Sequence, residues 1–119
     1  MKKFICLTLL LFVCCFLTSC KGTTKYKTCE KHLKEHLKDP SSLVVYHADG
    51  YEKDGTYAFK FTYDAKNSFG GYSGKDVAYV YINKSGEICC DSCDYSSGLA
   101  VTAYAANSLG GKKIYDKSK

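Results

Sequence analysis

The chain has 119 residues, and the first nineteen read as a removable export segment, so about 100 residues remain to fold, enough for one domain and too few for two. All 17 basic residues are lysine, set against 12 Asp plus Glu for a formal charge of +5, and loss of Lys2 and Lys3 with the leader leaves only a mild positive balance. Without arginine the chain lacks the planar fork that reads guanine edges and grips phosphate at two points, which excludes sequence-specific nucleic-acid binding from the expected functions.

Met1-Lys2-Lys3 is a short basic start, and Phe4 to Ser19 follow without a charge. That order of positive n-region, apolar h-region and small residues before a cleavage point is the signature of an export signal. Sixteen uncharged residues fall short of the ~20 needed to span a bilayer. The segment ends in Leu17-Thr18-Ser19-Cys20. Over residues 1–20 the sequence resembles bacterial lipoproteins, whose lipobox sets an aliphatic residue three positions before an invariant cysteine. The resemblance implies removal of residues 1–19, diacylation of Cys20, and a chain held at the outer side of a membrane in the cell envelope. Two acyl chains anchor stably where one is marginal. Residues 20–25 are expected to be a short polar tether, with one domain over residues 26–119.

From Tyr26 to Lys38 the apolar positions Tyr26, Cys29, Leu33 and Leu37 recur every three or four residues, which predicts an amphipathic helix of about three turns. Glu30 with Lys34 adds an i,i+4 pair, and Asp39-Pro40 stops the helix. Leu43-Val44-Val45-Tyr46 opens a strand, and Asp54-Gly55 marks a tight hairpin. In the next strand Tyr57, Phe59, Phe61 and Tyr63 alternate with Ala58, Lys60, Thr62 and Asp64, predicting one buried and one wet face. A loop rich in Gly, Ser and Asn runs from Ala65 to Lys75. Val77 to Ile82 is apolar on both faces and reads as an inner strand, and Asn83-Lys84-Ser85-Gly86 turns it into a short fourth strand carrying Ile88, Cys89 and Cys90. Leu99, Ala103, Ala106 and Leu109 suit a short C-terminal helix capped by Ser96 or Ser97 and ended by Gly110-Gly111, although a strand through Leu99, Val101, Ala103 and Ala105 fits the same stretch.

The expected fold class is therefore α+β: an N-terminal helix on an antiparallel meander of about four strands, with both helices on one sheet face. Two segments echo each other, Ala65-x-Asn67-Ser68-Phe69-Gly70-Gly71 and Ala105-x-Asn107-Ser108-Leu109-Gly110-Gly111, but their flanks do not align, so they read as two similar stop signals and not as a repeat. Leu37 to Ser42 after a helix, with Asp64 to Gly70, is similar to segments of small bacterial exported proteins that carry no assigned activity. That likeness implies a recurrent small domain and transfers no catalytic residue.

Four cysteines remain beyond Cys20: Cys29, Cys89, Cys90 and Cys93. In a small exported domain they read first as two disulfides. Cys29–Cys90 with Cys89–Cys93 is the first expectation and Cys29–Cys89 with Cys90–Cys93 the second. A bond from the first helix to the fourth strand would close a loop worth roughly 4 kcal/mol in the chain-entropy model. A sharper alternative is a thiol-redox or zinc-binding envelope protein. Cys90-Asp91-Ser92-Cys93 has redox-motif spacing, and Cys29, His32 and His36 lie on one helical face within reach of Cys90 and Cys93. Against redox chemistry, no βαβ unit precedes the motif and Asp91 and Asp94 disfavour a thiolate.

No nucleophile elbow or paired-carboxylate dyad occurs, so hydrolysis has no support. Seven tyrosines from Tyr46 to Tyr81 crowd the sheet region and substitute for scarce aliphatic residues in the core. Asn67, Phe69 and Tyr72 form the edge of a possible aromatic contact surface on the Gly-rich loop. The expectation is a non-catalytic, lipid-anchored binding module needing no cofactor, with the membrane and an envelope protein or glycan as its partners.

Overall fold

A computed structural model describes residues 21–91 and 98–118. Among the described residues the first helix, α1, covers 21–35. A 3-10 turn at Pro40–Ser42 leads into β1 (Val44–Lys53), β2 (Thr56–Asp64), β3 (Asp76–Ile82) and β4 (Ile88–Cys90), then α2 (Leu99–Gly110) and β5 (Lys112–Ser118). The strands form one antiparallel sheet in the order β4-β3-β2-β1-β5. The α+β class and the meander hold as expected. A fifth strand closes the free edge of β1, so α2 is not the last element.

β2 is central and organises both faces. Phe59 lies opposite Gly50 of β1 and Val80 of β3, and Val80 lies opposite Cys90 of β4. On that face Phe59, Phe61, Ala78, Val80 and Cys90 are fully buried against Tyr26, Cys29 and Leu33 of α1. The Tyr26 ring stacks on Tyr115 of β5 at 4.1 Å and on Phe61 at 5.5 Å. The other face carries Asp49, Tyr51, Ala58, Tyr79 and Tyr81 by register, and α2 packs there. Tyr104 meets Tyr51 edge to ring and Tyr79 at a tilt, and Asn107 Nδ2 donates to the Tyr51 carbonyl and to Thr56 Oγ1. The helices therefore lie on opposite faces, correcting the one-face expectation. Ala58, fully buried, leaves room for α2 where a larger residue would hold the helix off.

Three local predictions can be checked in detail. Asp54 and Gly55 both have positive φ, 50° and 79°, as a two-residue I′ hairpin requires. The Glu30–Lys34 pair forms at 3.6 Å. The 12-residue α2 takes the helical alternative at Leu99–Gly110. Its first N–H groups are capped by Asp91, whose Oδ1 accepts from Ala100 N and Oδ2 from Val101 N, with Gly98 at the N-cap position. The expected caps Ser96 and Ser97 lie outside the described residues.

The start of the domain also needs correction. Residues 21–25 are helical, part of α1, and not a tether. Gly22 is buried, and a Cβ there would overlap the Ile114 carbonyl of β5. Lys21 Nζ sits 3.7 Å from Glu52 Oε1, and Lys25 Nζ sits over the Tyr57 ring at 4.8 Å. The helix reaches the sheet here through a missing side chain and through lysine stems, which apolar periodicity does not register.

Tyr26 offers a test of this packing. Its hydroxyl is buried near Glu30 and Tyr115 without a well-formed hydrogen bond, and burial pushes its acidity down, with Glu30 adding to the effect. Removing an unsatisfied buried hydroxyl relieves a desolvation cost, so Tyr26→Phe is expected to leave stability unchanged or raise it by about 1 kcal/mol in urea unfolding. A loss of that size would show a hydroxyl bond that supports the fold.

Candidate functional site

The candidate surface is the loop over residues 65–75, and its hydrogen bonds explain its shape. At the base, Asp64 Oδ1 accepts from Ala65 N at 2.8 Å and from Gly74 N at 3.2 Å, and Ser42 Oγ accepts from Lys66 N at 2.9 Å. Ser42 and Asp64 are both buried, so the base is fixed to the entry of β1 and the end of β2. Midway, Lys66 and Tyr72 form an isolated antiparallel bridge, with Lys66 Nζ 5.9 Å from the Tyr72 ring centre. At the tip, Asn67 N donates to Gly71 O, Gly70 N donates to Asn67 O, and Asn67 Oδ1 accepts from Phe69 N at 2.9 Å. Gly70 supplies the positive φ of 79° that closes this turn. A residue-by-residue ladder thus turns a Gly-rich segment into a small hairpin.

The result is a defined apolar projection. Phe69 is 97% exposed and Tyr72 51% exposed, on a backbone bonded at base, middle and tip. The three residues singled out from sequence meet here with separate roles: Asn67 builds the turn, Phe69 projects, and Tyr72 flanks it beside Lys66. The loop lies at the end of the sheet opposite Lys21, because Lys21 sits over Tyr57 at the start of β2, which runs from Thr56 to Asp64 at the loop's base.

The cysteine and histidine constellation is arranged differently. Cys29 is a thiol, fully buried against the sheet, so both pairings that join it to the fourth strand are overturned. It fills the helix–sheet interface as a small apolar side chain. Burial pushes its acidity down to a pKa of about 12, with only partial relief from Lys25, which makes it a poor thiolate ligand or nucleophile. Cys90 is buried in the same core cluster and is disulfide-bonded, but no disulfide joins two described cysteines. Cys89 faces the opposite side of β4, opposite Tyr81. His32, half-buried on α1, and His36, exposed just past its end, have ring centres 4.7 Å apart, with His36 Nδ1 2.8 Å from the His32 carbonyl. Among the described residues no group of three or more His, Cys, Asp or Glu is placed to hold a metal ion. Cys20 and Cys93 lie outside the described residues.

One polar chain had no sequence signal. His47 Nδ1 is 3.1 Å from Ser118 Oγ, His47 Nε2 is 3.5 Å from Asp49 Oδ2, and Asp49 Oδ1 accepts from the Tyr104 hydroxyl at 2.7 Å. These are the residue types of an acyl-transfer triad, but the His47–Asp49 contact is an ion-pair distance and not an orienting hydrogen bond. The carboxylate is instead engaged by a tyrosine from α2. The chain ties α2 and β5 to β1, and the two contacts that join different elements span 55 and 71 positions in sequence, which is why spacing alone could not reveal it.

Comparison with family models, with curated proteins and with solved structures finds no match to this chain. Among the described residues no helix is long and apolar enough to cross a membrane.

Proposed function

We propose that the protein is a lipid-anchored lipoprotein of the cell envelope that works as a non-catalytic binding module, presenting the 65–75 loop to an envelope protein with an apolar pocket. The observation that carries this reading is Phe69: a phenyl ring 97% exposed on a turn whose backbone is already fixed. Burying a phenylalanine side chain stabilises a complex by about 1.5–3 kcal/mol. A pre-formed loop gives up little further freedom on binding, so most of that gain is kept. The lipobox-like Leu17-Thr18-Ser19-Cys20 supports the anchor.

The test uses cells producing the full chain with a photo-crosslinking phenylalanine analogue at position 69. Intact-mass analysis of the membrane fraction is expected to give a diacylated chain beginning at Cys20. Irradiation is expected to give a discrete protein adduct that co-expressed wild-type chain suppresses and co-expressed Phe69→Ala chain does not. The binding role fails if no adduct forms, or if the Phe69→Ala chain competes as well as wild type. An unmodified chain cut elsewhere removes the anchor.

A further inference from the structure

The end of the domain opposite the 65–75 loop carries a second apolar projection. Leu109, in the last turn of α2, is 90% exposed. It belongs to the echo of the Phe69 segment, so one pattern, Asn-Ser-apolar-Gly-Gly, exposes a large apolar residue at each end of the molecule. Around Leu109 the chain turns sharply. Gly111 N donates to Asn107 O, a Cβ at Gly111 would overlap the Glu52 and Asn107 carbonyls, and Gly110 lies against the Lys53 side chain. Beside this corner are the Asp54–Gly55 hairpin and the Asn83–Gly86 turn, with the Lys84 stem next to Gly55. Lys21 at this end is paired with Glu52, and of the remaining charges Lys53, Lys84 and Lys112 outnumber Asp54 and Glu87.

We propose that this end, with Leu109 at its apolar point and Lys53, Lys84 and Lys112 around it, docks on the surface of an anionic phospholipid bilayer. The inference rests on the lipid-anchor reading. It adds a contact that the anchor alone does not supply. Lys21 directly follows the cysteine expected to be acylated, and Gly22 is already buried against β5, so no slack separates the lipid from the folded domain. An acylated Cys20 therefore brings this end, and not the Phe69 end, to the headgroups. The chemistry fits that position: a leucine enters the interface while lysines meet anionic headgroups.

The chain contains no tryptophan, so single substitutions give clean reporters. Full-length lipidated Leu109→Trp and Phe69→Trp variants are reconstituted into phosphatidylglycerol vesicles with brominated acyl chains, and membrane attachment is checked by flotation. The Leu109→Trp variant is expected to shift its emission to the blue and lose intensity relative to non-brominated vesicles. The Phe69→Trp variant is expected to show neither change. Adding Lys53→Glu, Lys84→Glu and Lys112→Glu to the Leu109→Trp chain is expected to reverse the quenching. Floating protein with unquenched Leu109→Trp overturns the docking surface and leaves the anchor standing. Quenching in Phe69→Trp overturns the proposed orientation, and with it the loop's availability to a partner. Protein that does not float overturns the anchor itself.

Discussion

Gly50→Ala is expected to destabilise the domain by about 3 kcal/mol, which lowers the melting temperature of a domain this size by roughly 15 °C. In most strands the change would be mildly favourable, because alanine restricts the unfolded chain more than glycine does. Here the sign is set by Phe59. A Cβ at Gly50 would overlap the Cε1, Cδ1 and Cζ atoms of that ring. The ring cannot step aside, since it is fully buried with Tyr115 at 6.2 Å, Phe61 at 6.3 Å and Tyr26 at 6.4 Å. Circular-dichroism melts of Gly50→Ala, Phe59→Leu and the double variant test the cause as well as the size. The smaller side chain makes room, so Gly50→Ala is expected to cost distinctly less in the Phe59→Leu background. An unchanged melting temperature in Gly50→Ala, or strict additivity in the double variant, would refute the clash.

Alkaline pH should weaken the fold by a comparable amount. Burial raises the Cys29 thiol from an ordinary 9.0 to about 12. Below pH 9 the folded and unfolded chains both hold this proton, and it does not affect their balance. Above pH 9 the unfolded chain releases the proton while the folded chain keeps it. Stability therefore falls with rising pH by about 1.4 kcal/mol per unit, and by about 4 kcal/mol in total once the folded thiol ionises. Burial also raises Tyr26, Tyr63, Tyr104 and Tyr115, so the decline steepens above pH 10. Urea unfolding at intervals from pH 8 to pH 10.5 reads this slope. Cys29→Ala lowers the baseline through its cavity but is expected to flatten the segment between pH 9 and 10. A wild-type chain equally stable at pH 8 and pH 10.5 would mean that Cys29 is not the buried thiol described.

The sequence was legible wherever a pattern of side chains made the structure. The Tyr26, Cys29, Leu33 stripe, the alternation from Tyr57 to Tyr63, the Asp54-Gly55 hairpin and the 65–75 loop each announce themselves through periodicity or turn chemistry. The misses share a different cause. β5 reads Lys-Lys-Ile-Tyr-Asp-Lys-Ser, a charged edge strand whose short alternation is broken by a bulge opposite Gly50 and Tyr51. Residues 21–25 pack through Gly22, where contact depends on a side chain that is not there. The second helix lies on the face that β2's polar alternation marked as wet, admitted by Ala58. Cys29 looked like a disulfide half because an exported setting was expected, yet it occupies a helix stripe where a small apolar group was needed. Of the candidate site, the three loop residues were visible in sequence, but the His47–Asp49–Tyr104 chain was not, because only tertiary contact brings it together.

The packing of Gly22 against β5 also sets a height on the proposed anchor. A domain joined to its anchor by a flexible arm sweeps a hemisphere, and its partner's elevation matters little. On the proposed anchor, with Cys20 in the bilayer and Gly22 packed against β5, Phe69 would instead stand off the membrane by about the length of the central strands, whose ten-residue member β1 measures roughly 33 Å at ~3.3 Å per residue. On that reading the molecule would work as a gauge. A receptive pocket at that elevation meets Phe69 during simple lateral diffusion, while an identical pocket close to the headgroups never does, so the geometry selects partners before any side-chain chemistry is consulted.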